Sequence, residues 1–137
     1  AMSRRKKKKS KLWKSIKKVD YVRKSDGKTI SMDSSWEVQC AEKLDDLGVR
    51  WERTEDLKLK YIDKRAQTRN YIPDFYLPDL DLYIEVKGYW TDAARHKMKD
   101  IIKRNPGKIC ILESLLEIGS LTKDIKPSSG SLLNNAK

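Results

Sequence analysis

Residues 71–78 read Tyr-Ile-Pro-Asp-Phe-Tyr-Leu-Pro, and residues 82–88 follow after a short gap as Leu-Tyr-Ile-Glu-Val-Lys-Gly. Both stretches are rich in aromatic and β-branched residues and are bounded by proline or glycine, a pattern that predicts two short strands. The residues from Pro78 to Asp81 have the composition of a turn. Residues 71–88 therefore predict a hairpin, and the rest of the domain is expected to be arranged around it.

Three charged side chains lie within this hairpin: Asp74 on the first strand, and Glu85 and Lys87 on the second. Because side chains alternate faces along a strand, Glu85 and Lys87 should share one face, while Ile84 and Val86 share the other. Two carboxylates offer the hard oxygen ligands that Mg²⁺ prefers, and a neighbouring lysine can orient or deprotonate an attacking water. A Glu-Val-Lys strand can equally be a solvated sheet edge, because these residue types are common.

The fuller wording of the two stretches, YIPDFYLP followed by YIEVKGYW, resembles the PD-(D/E)xK nuclease superfamily. It is most similar to the branch that contains bacteriophage endonuclease I, a Holliday-junction resolvase, and related phage and very-short-patch-type endonucleases. The similarity covers roughly residues 34–112. It implies a restriction-endonuclease-like α/β core, in which a mixed central sheet is flanked by helices in the order α-β-β-β-α-β.

A helix is predicted over Trp36–Leu47, ending at Gly48. Glu37 begins an apolar stripe of this helix that continues through Cys40 and Leu44 and should face the sheet. In the first turn a glutamate can simply complement the helix dipole, but its place on the buried stripe favours a functional role. In the endonuclease I pattern a glutamate of the first helix completes the acidic cluster, and Glu37 matches it.

Further elements are predicted on both sides of the motif. They are a hairpin around Ser25-Asp26-Gly27, strands at 49–53 and 57–61, a polar connection at 64–70, a helix from Thr91 to about Arg104, and a strand at 108–113. The second helix is basic. Its cationic side chains are those of a solvated face, and some are candidates for the lining of a DNA groove: Arg95, Lys97, Lys99, Lys103 and Arg104.

The net charge of +11 is concentrated at the N-terminus. Residues 1–24 hold twelve of the 31 lysines and arginines and one of the 20 acids, which leaves 19 of each for residues 25–137. Such an arm favours polyanions, nucleic acid before an acidic membrane surface, although it can also be a solubility tail or a nuclear-localisation patch. Together with the nuclease motif, it predicts DNA contact by ten side chains: Arg4, Arg5, Lys6, Lys7, Lys8, Lys9, Lys11, Lys14, Lys17 and Lys18.

The length of 137 residues predicts one domain with tails. The expected parts are a flexible basic arm at 1–18, a small hairpin at 19–33, the nuclease domain at 34–119, and a flexible or loosely docked tail at 120–137.

Cys40 and Cys110 lie in apolar patterns and are expected to be reduced core residues. With no Cys-x-x-Cys pair and a single histidine, His96, a structural zinc site is nearly excluded. No apolar run approaches the roughly 20 residues that span a membrane, and no signal-peptide pattern is present. The expected location is therefore intracellular and soluble: the cytoplasm, or the host cytoplasm if the protein is phage-encoded.

The resemblance also implies the chemistry. Asp74, Glu85 and the main-chain carbonyl of Val86 would bind one Mg²⁺, for which Mn²⁺ is expected to substitute, and Glu37 would help to hold a second ion. Lys87 would position the water that attacks a phosphodiester. Tyr89 and Trp90, next to the motif, are expected to pack, with stacking on an unpaired base as the alternative.

The implied function is a metal-dependent DNA endonuclease selective for branched DNA. Junction resolution needs two active sites, hence a homodimer, and endonuclease I-like proteins form one by exchanging N-terminal elements, here Val19–Met32. A site-specific (homing-type) or mismatch-nicking endonuclease would use the same residues. A catalytically silent DNA-binding module is the alternative from another class, and the intact set of Glu37, Asp74, Glu85 and Lys87 speaks against it.

Overall fold

The structure is a computed structural model in which residues 18–53 and 56–129 are described. The predicted arm therefore lies outside the described residues except for Lys18, and so do residues 130–137 of the predicted tail. The elements are β1 (Val19–Val22), β2 (Thr29–Met32), α1 (Ser35–Leu47), β3 (Leu59–Ile62), β4 (Thr68–Tyr71), β5 (Phe75–Leu77), β6 (Leu82–Val86), α2 (Asp92–Arg104), β7 (Ile109–Leu112) and α3 (Leu115–Gly119).

A mixed three-stranded sheet, in the order β5-β6-β7, forms the centre of the domain. β5 and β6 pair antiparallel with Phe75 opposite Ile84, and β6 and β7 pair parallel with Ile84 opposite Cys110. The prediction of an α/β domain with a mixed sheet is confirmed. β1–β2 and β3–β4 are separate antiparallel hairpins outside this sheet.

Side-chain alternation along the central strands divides the core into two clusters, one on each face of the sheet. On the α1 side, Cys40 and Leu44 of the helix pack against the sheet, and on the α2 side Met98 and Ile101 do so. The first cluster takes Phe75, Leu77, Leu82, Ile84, Cys110 and Leu112 from the sheet, and the second takes Tyr83, Ile109 and Ile111. Any side chain at the open end of β5–β6 is thus placed between two helical layers.

Helix α1 begins and ends where its sequence predicts. The Ser34 Oγ accepts the N–H of Glu37 at 3.2 Å, which caps the first turn. Gly48 has a φ of 71°, and its N–H bonds the carbonyls of Asp45 and Leu44, a left-handed ending that glycine adopts without strain. The predicted stripe is also confirmed, since Glu37, Cys40, Ala41 and Leu44 are the buried residues of this helix.

Helix α2 likewise follows the prediction. The Thr91 Oγ1 accepts the N–H of Ala94 at 3.0 Å, and Asn105 closes the last turn by bonding the carbonyls of Ile101 and Ile102. The β3–β4 hairpin is fixed to this helix through Ile62, whose N–H donates to Asp100 at 2.8 Å. Helix and hairpin therefore form one layer over the β6 face that carries Glu85.

The prediction of a strand at 49–53 is wrong. Glu52 alone pairs there, through two backbone bonds of 2.8 and 2.9 Å to Tyr76 of β5. Continuing this pairing would place Arg50 opposite Pro78, which has no N–H to donate.

The polar connection predicted at 64–70 is also wrong in its second half. Thr68, Arg69 and Asn70 belong to β4, where they pair with β3 and remain exposed. The predicted strand at 71–78 is correspondingly divided: Tyr71 ends β4, and β5 begins at Phe75 after Pro73. These residues lack the apolar alternation that marks a half-buried strand, because the outer face of the hairpin meets solvent.

The N-terminal hairpin forms as predicted, with Gly27 at a φ of 73° in its turn. It lies against α1, where the Tyr21 hydroxyl donates to Asp45 Oδ2 at 2.5 Å. At the other end of the chain, α3, which the sequence did not predict, packs on α1 and β7.

Residues 121–129 lie against the domain. Ile125 is buried in the α1-side cluster, and Ser128 bonds two backbone groups of β7. The part of the expected tail up to Ser129 is therefore docked.

Both cysteines are free and buried, as predicted. Burial raises the pKa of both thiols, that of Cys110 to about 11, so neither is a reactive thiolate at neutral pH. Within the described residues, no helix is long and apolar enough to cross a membrane.

Candidate active site

Asp74 lies at the point where β5 and β6 separate. The ladder between these strands ends at Phe75, and the Asp74 Oδ2 accepts the Val86 N–H at 2.8 Å. The side chain thereby satisfies a strand N–H that would otherwise face the backbone of Pro73. This bond holds the Asp74 carboxylate at the C-terminal end of β6, next to Glu85.

Glu85 is buried on the α2 face of β6, with 6% of its surface exposed. Its Oε1 accepts the Tyr71 hydroxyl at 2.6 Å, and its Oε2 lies 3.5 Å from the Lys87 ammonium. Burial, and after it the carboxylates of Glu85 and Asp74, raises the pKa of Tyr71 well above its usual value, so the hydroxyl keeps its proton. Tyr71 therefore orients one carboxylate oxygen, while the other faces Lys87.

Glu37 reaches the same region from the first turn of α1 and is 7% exposed. Its Oε1 lies 2.7 Å from Arg53 Nη1 and accepts the Asp33 N–H at 3.1 Å. Glu37 therefore also has a structural role, because it accepts a backbone N–H that precedes the first turn of α1. Arg53 also donates to the Asp74 carbonyl at 3.3 Å, which ties Glu37 to the hairpin.

Electrostatics identify these carboxylates as one cluster. Burial, then the charges of Glu85 and Glu37, raises the pKa of Asp74 well above its usual value. The Val86 N–H and Arg53 act in the opposite direction but do not outweigh them. Burial and the neighbouring carboxylates together therefore disfavour the ionised form of Asp74.

The chemistry of the donors fits a small hard cation, within limits. No group of three or more His, Cys, Asp or Glu side chains in the described residues is arranged to hold a metal ion. Glu37 is engaged by Arg53 at 2.7 Å. Asp74 and Glu85 remain as a pair of carboxylates, and the Asp74 Oδ1 accepts no hydrogen bond among the described residues. One or two carboxylates are what Mg²⁺ usually takes from a protein, completing its shell with water and phosphate oxygens.

An opening of about 390 Å³ gives access to Asp74 from the side of the N-terminal hairpin. Its rim includes Lys18, Ile72 and Arg53. Lys18, the one described residue of the predicted arm, forms an ion pair of 3.5 Å with Asp33 there and so lies close to the acidic cluster.

Two tryptophans shape the segment that follows Glu85. A Cβ on Gly88 would lie 2.8 Å from the ring of Trp36, so only glycine fits without displacing that ring. The Trp90 indole N–H donates to Glu113 at 2.7 Å, and the Lys87 ammonium lies 6.0 Å from the centre of its ring. Trp90 packs, as predicted, but Tyr89 does not: it is 78% exposed, because the chain turns outward after Gly88.

The sequence analysis assigned no site role to two residues that contact the site, Arg53 and Tyr71, and named Lys97 only as a candidate for the lining of a DNA groove. The Lys97 ammonium lies 5.0 Å from the centre of the Tyr71 ring, and burial lowers its pKa. One signal for Lys97 was available, since it stands one helical turn before the buried Ile101 and so lies near the inner stripe of α2. Arg53 belongs to a segment whose pairing depends on a distant strand, and no local pattern marks it. Tyr71 stands in the motif, but its strand position does not predict the bond to Glu85.

The structure thus brings Glu37, Asp74, Glu85 and Lys87 together at one end of the sheet. Of the ten arm residues predicted to contact DNA, Lys18 alone belongs to the described residues. No protein-family model, characterised protein or solved structure matches the chain. The function must therefore be inferred from the side chains themselves.

Proposed function

We propose that this protein is a Mg²⁺-dependent endonuclease that hydrolyses phosphodiester bonds in DNA. The observation that carries the proposal is the placement of Asp74 beside Glu85 and Lys87, where burial, and after it the charges of Glu85 and Glu37, raises the pKa of Asp74. Perturbed carboxylates of this kind are characteristic of functional sites. The restriction-endonuclease-like core belongs to the same proposal, supported by the motif and by the mixed sheet that holds it.

Asp74 and Glu85 would hold the metal ion, and Mn²⁺ should replace Mg²⁺. When bound, the ion supplies Lewis-acid stabilisation of the charge that develops on the phosphate and the leaving oxygen. Tyr71 fixes the orientation of Glu85 through its hydroxyl. Glu37 would bind a second ion only if its ion pair with Arg53 were broken.

Lys87 would hold the attacking water through its ammonium, which lies beside Glu85. Water adds to phosphorus in line with the leaving oxygen, and the bond between phosphorus and that oxygen breaks. The attacking water gives one proton to solvent and the leaving oxygen takes one from solvent, so no covalent enzyme intermediate forms. The basic arm, whose last residue lies on the rim of the site, would hold the DNA backbone.

Branched DNA is the proposed substrate and a homodimer the proposed assembly, both from the resemblance to endonuclease I-like proteins. Site-specific and mismatch-nicking activities would use the same residues.

The second candidate is a DNA-binding module that does not cut. One observation favours it: Glu37 and Glu85 are already engaged by Arg53 and Tyr71.

Cleavage of linear, nicked, mismatched and four-way DNA, each with Mg²⁺, Mn²⁺ or EDTA, tests the proposal. We expect metal-dependent cutting, strongest on the four-way substrate, that Glu85→Gln abolishes. Glu42→Gln is the matched control, since Glu42 is exposed on α1 outside the site. Binding without cutting on every substrate would favour the second candidate.

A further inference from the structure

A basic groove runs between the β3–β4 hairpin and helix α2. One cavity of about 590 Å³ lies between the hairpin turn and the start of the helix, and a second of about 420 Å³ continues along the helix. The two share Lys64 and His96 in their linings. We call this surface the β4–α2 groove, and its cationic residues are Lys64, Arg65, Arg69, Arg95, Lys97, Lys99 and Lys103.

The three acids of the groove, Asp63, Asp92 and Asp100, are each paired with a protein cation. Asp92 lies 3.4 Å from Arg95. Asp63 accepts from Arg69 at 2.8 Å and from the N–H groups of Arg65 and Gln67, both at 2.9 Å. Asp100 accepts from Arg104 and from Ile62, at 2.7 and 2.8 Å.

Five cations of the groove are left without an ion pair in the part of the chain that the structure describes: Lys64, Arg65, Lys97, Lys99 and Lys103. Lys97, which lies against the ring of Tyr71, is half-buried, and the other four are exposed. A row of uncompensated cations along an elongated cleft favours an extended polyanion over a compact one.

The groove is continuous with the candidate active site. Lys97 lines its inner wall and lies over the ring of Tyr71, whose hydroxyl binds Glu85. A polyanion seated between Lys64 and Lys97 would therefore end beside the carboxylate cluster. Of the extended polyanions, duplex DNA fits best, because its phosphates recur every 3.4 Å or so along a strand and can meet successive lysines.

We propose that the β4–α2 groove binds the phosphate backbone of duplex DNA on one side of the phosphate that is cut. This inference rests on the proposed function, and it adds a second contact surface to the arm, on the opposite layer of the domain from the N-terminal hairpin. Because phosphate contacts fix position without reading bases, the groove should bind all sequences alike.

The test is a quadruple variant of the full chain, Lys64→Gln, Arg65→Gln, Lys99→Gln and Lys103→Gln. A matched control removes four charges from other elements: Lys28→Gln, Lys43→Gln, Lys123→Gln and Lys126→Gln. Binding to an unbranched DNA duplex is measured in EDTA over a series of salt concentrations, and thermal unfolding checks that each variant is folded. Each lost phosphate contact should reduce the slope of log K against log salt by about 0.9.

We expect the slope of log K against log salt to fall by roughly two or more in the groove variant, and its affinity to fall about tenfold. The control should change little in both. Unchanged binding by the groove variant, or an equal loss in the control, would overturn the groove. Cleavage in Mg²⁺ is a separate readout. If the groove variant loses affinity but the wild type never cuts, DNA binding by the groove stands and the nuclease proposal falls. If the wild type cuts and the groove variant binds normally, the nuclease proposal stands and DNA binding by the groove falls.

Discussion

Asp74 accepts the Val86 N–H, but burial and the nearby carboxylates of Glu85 and Glu37 disfavour its charge. Folding disfavours its ionised form, so the stability of the metal-free protein should fall as the pH rises through its raised pKa. We expect Asp74→Asn to increase the free energy of unfolding in EDTA at neutral pH, because an amide oxygen can still accept the Val86 N–H. The same variant should cut DNA at least about 100-fold more slowly, since a proposed ligand of the metal is lost. Denaturant unfolding and single-turnover cleavage measure the two effects.

The two effects of this variant separate function from packing. Glu42→Gln should leave both stability and cleavage close to the wild-type values. If Asp74→Asn lowers stability and still cuts at a tenth of the wild-type rate, Asp74 is a structural residue and the metal site is misassigned.

Lys87 tests whether the site needs an ammonium or merely a positive charge. Arginine keeps the charge, but its planar group cannot reproduce a compact ammonium 3.5 Å from Glu85 beside the Trp90 ring. We expect Lys87→Arg to bind DNA normally and to cut at least about 100-fold more slowly, a loss within the range of general acid–base contributions. Near-normal single-turnover cleavage would reduce Lys87 to an electrostatic role.

Gly88 is constrained by a neighbour and not by its backbone. Alanine at this position would drive a methyl group into the Trp36 ring, and overpacking of this kind costs about 1–3 kcal/mol. Gly119→Ala is the control, because a Cβ there meets nothing within 4 Å. Denaturant unfolding should show a loss for Gly88→Ala that Trp36→Leu relieves in the double variant. Equal stabilities of Gly88→Ala and the wild type would mean that the ring moves freely.

At the scale of elements, the two long helices, α1 and α2, were easier to predict than the strands because their ends are fixed locally. Ser34 and Thr91 cap their helices with their own side chains, and Gly48 ends α1 in a left-handed conformation. The segments 49–53 and 64–70 depended instead on what lay opposite them. Residues 49–53 form no strand because Pro78, opposite Arg50, has no N–H to donate. Residues 68–70 form a strand because they pair with β3.

The same distinction applies to the site. Asp74, Glu85 and Lys87 stand close together in one sequence motif, and Glu37 lies on the buried stripe of a helix. The motif and the helical periodicity were therefore enough to select these four residues. Arg53 was missed, since it reaches the cluster from a segment whose path is set by tertiary contacts.

The cap of α2 provides a test at this scale. Thr91→Ala removes the acceptor for the Ala94 N–H and should cost about 1 kcal/mol of stability. Thr91→Ser keeps the acceptor and should stay close to the wild type. Because α2 carries Lys97 and one wall of the β4–α2 groove, the alanine variant should also bind DNA more weakly. Calorimetric unfolding and duplex binding are the measurements, and an alanine variant as stable as the serine variant would contradict the role of the cap.

For the whole molecule, the charge is divided between a basic arm and a neutral domain. Deleting residues 1–17 removes nine positive charges and leaves the Lys18–Asp33 ion pair in place. We expect affinity to fall for all DNA sequences alike, and the slope of log K against log salt to drop by several units at about 0.9 per contact. Cleavage at saturating DNA and low salt should survive, because Asp74, Glu85 and Lys87 belong to the domain.

A truncated protein with unchanged affinity and salt slope would show that the arm acts only in solubility. One that binds normally but cannot cut would place part of the active site, or a contact between subunits, within the arm.

The docked segment after α3 also decides what the sheet can do with other chains. β7 is the outermost strand beside β6, and a strand in that position normally presents unpaired backbone groups. Ser128 takes two of them, donating its N–H to the Ile109 carbonyl at 2.7 Å and accepting the Ile111 N–H on its Oγ at 2.8 Å. A strand from a second molecule therefore finds these positions occupied. The segment works as a built-in guard against edge-to-edge aggregation of an otherwise very small sheet.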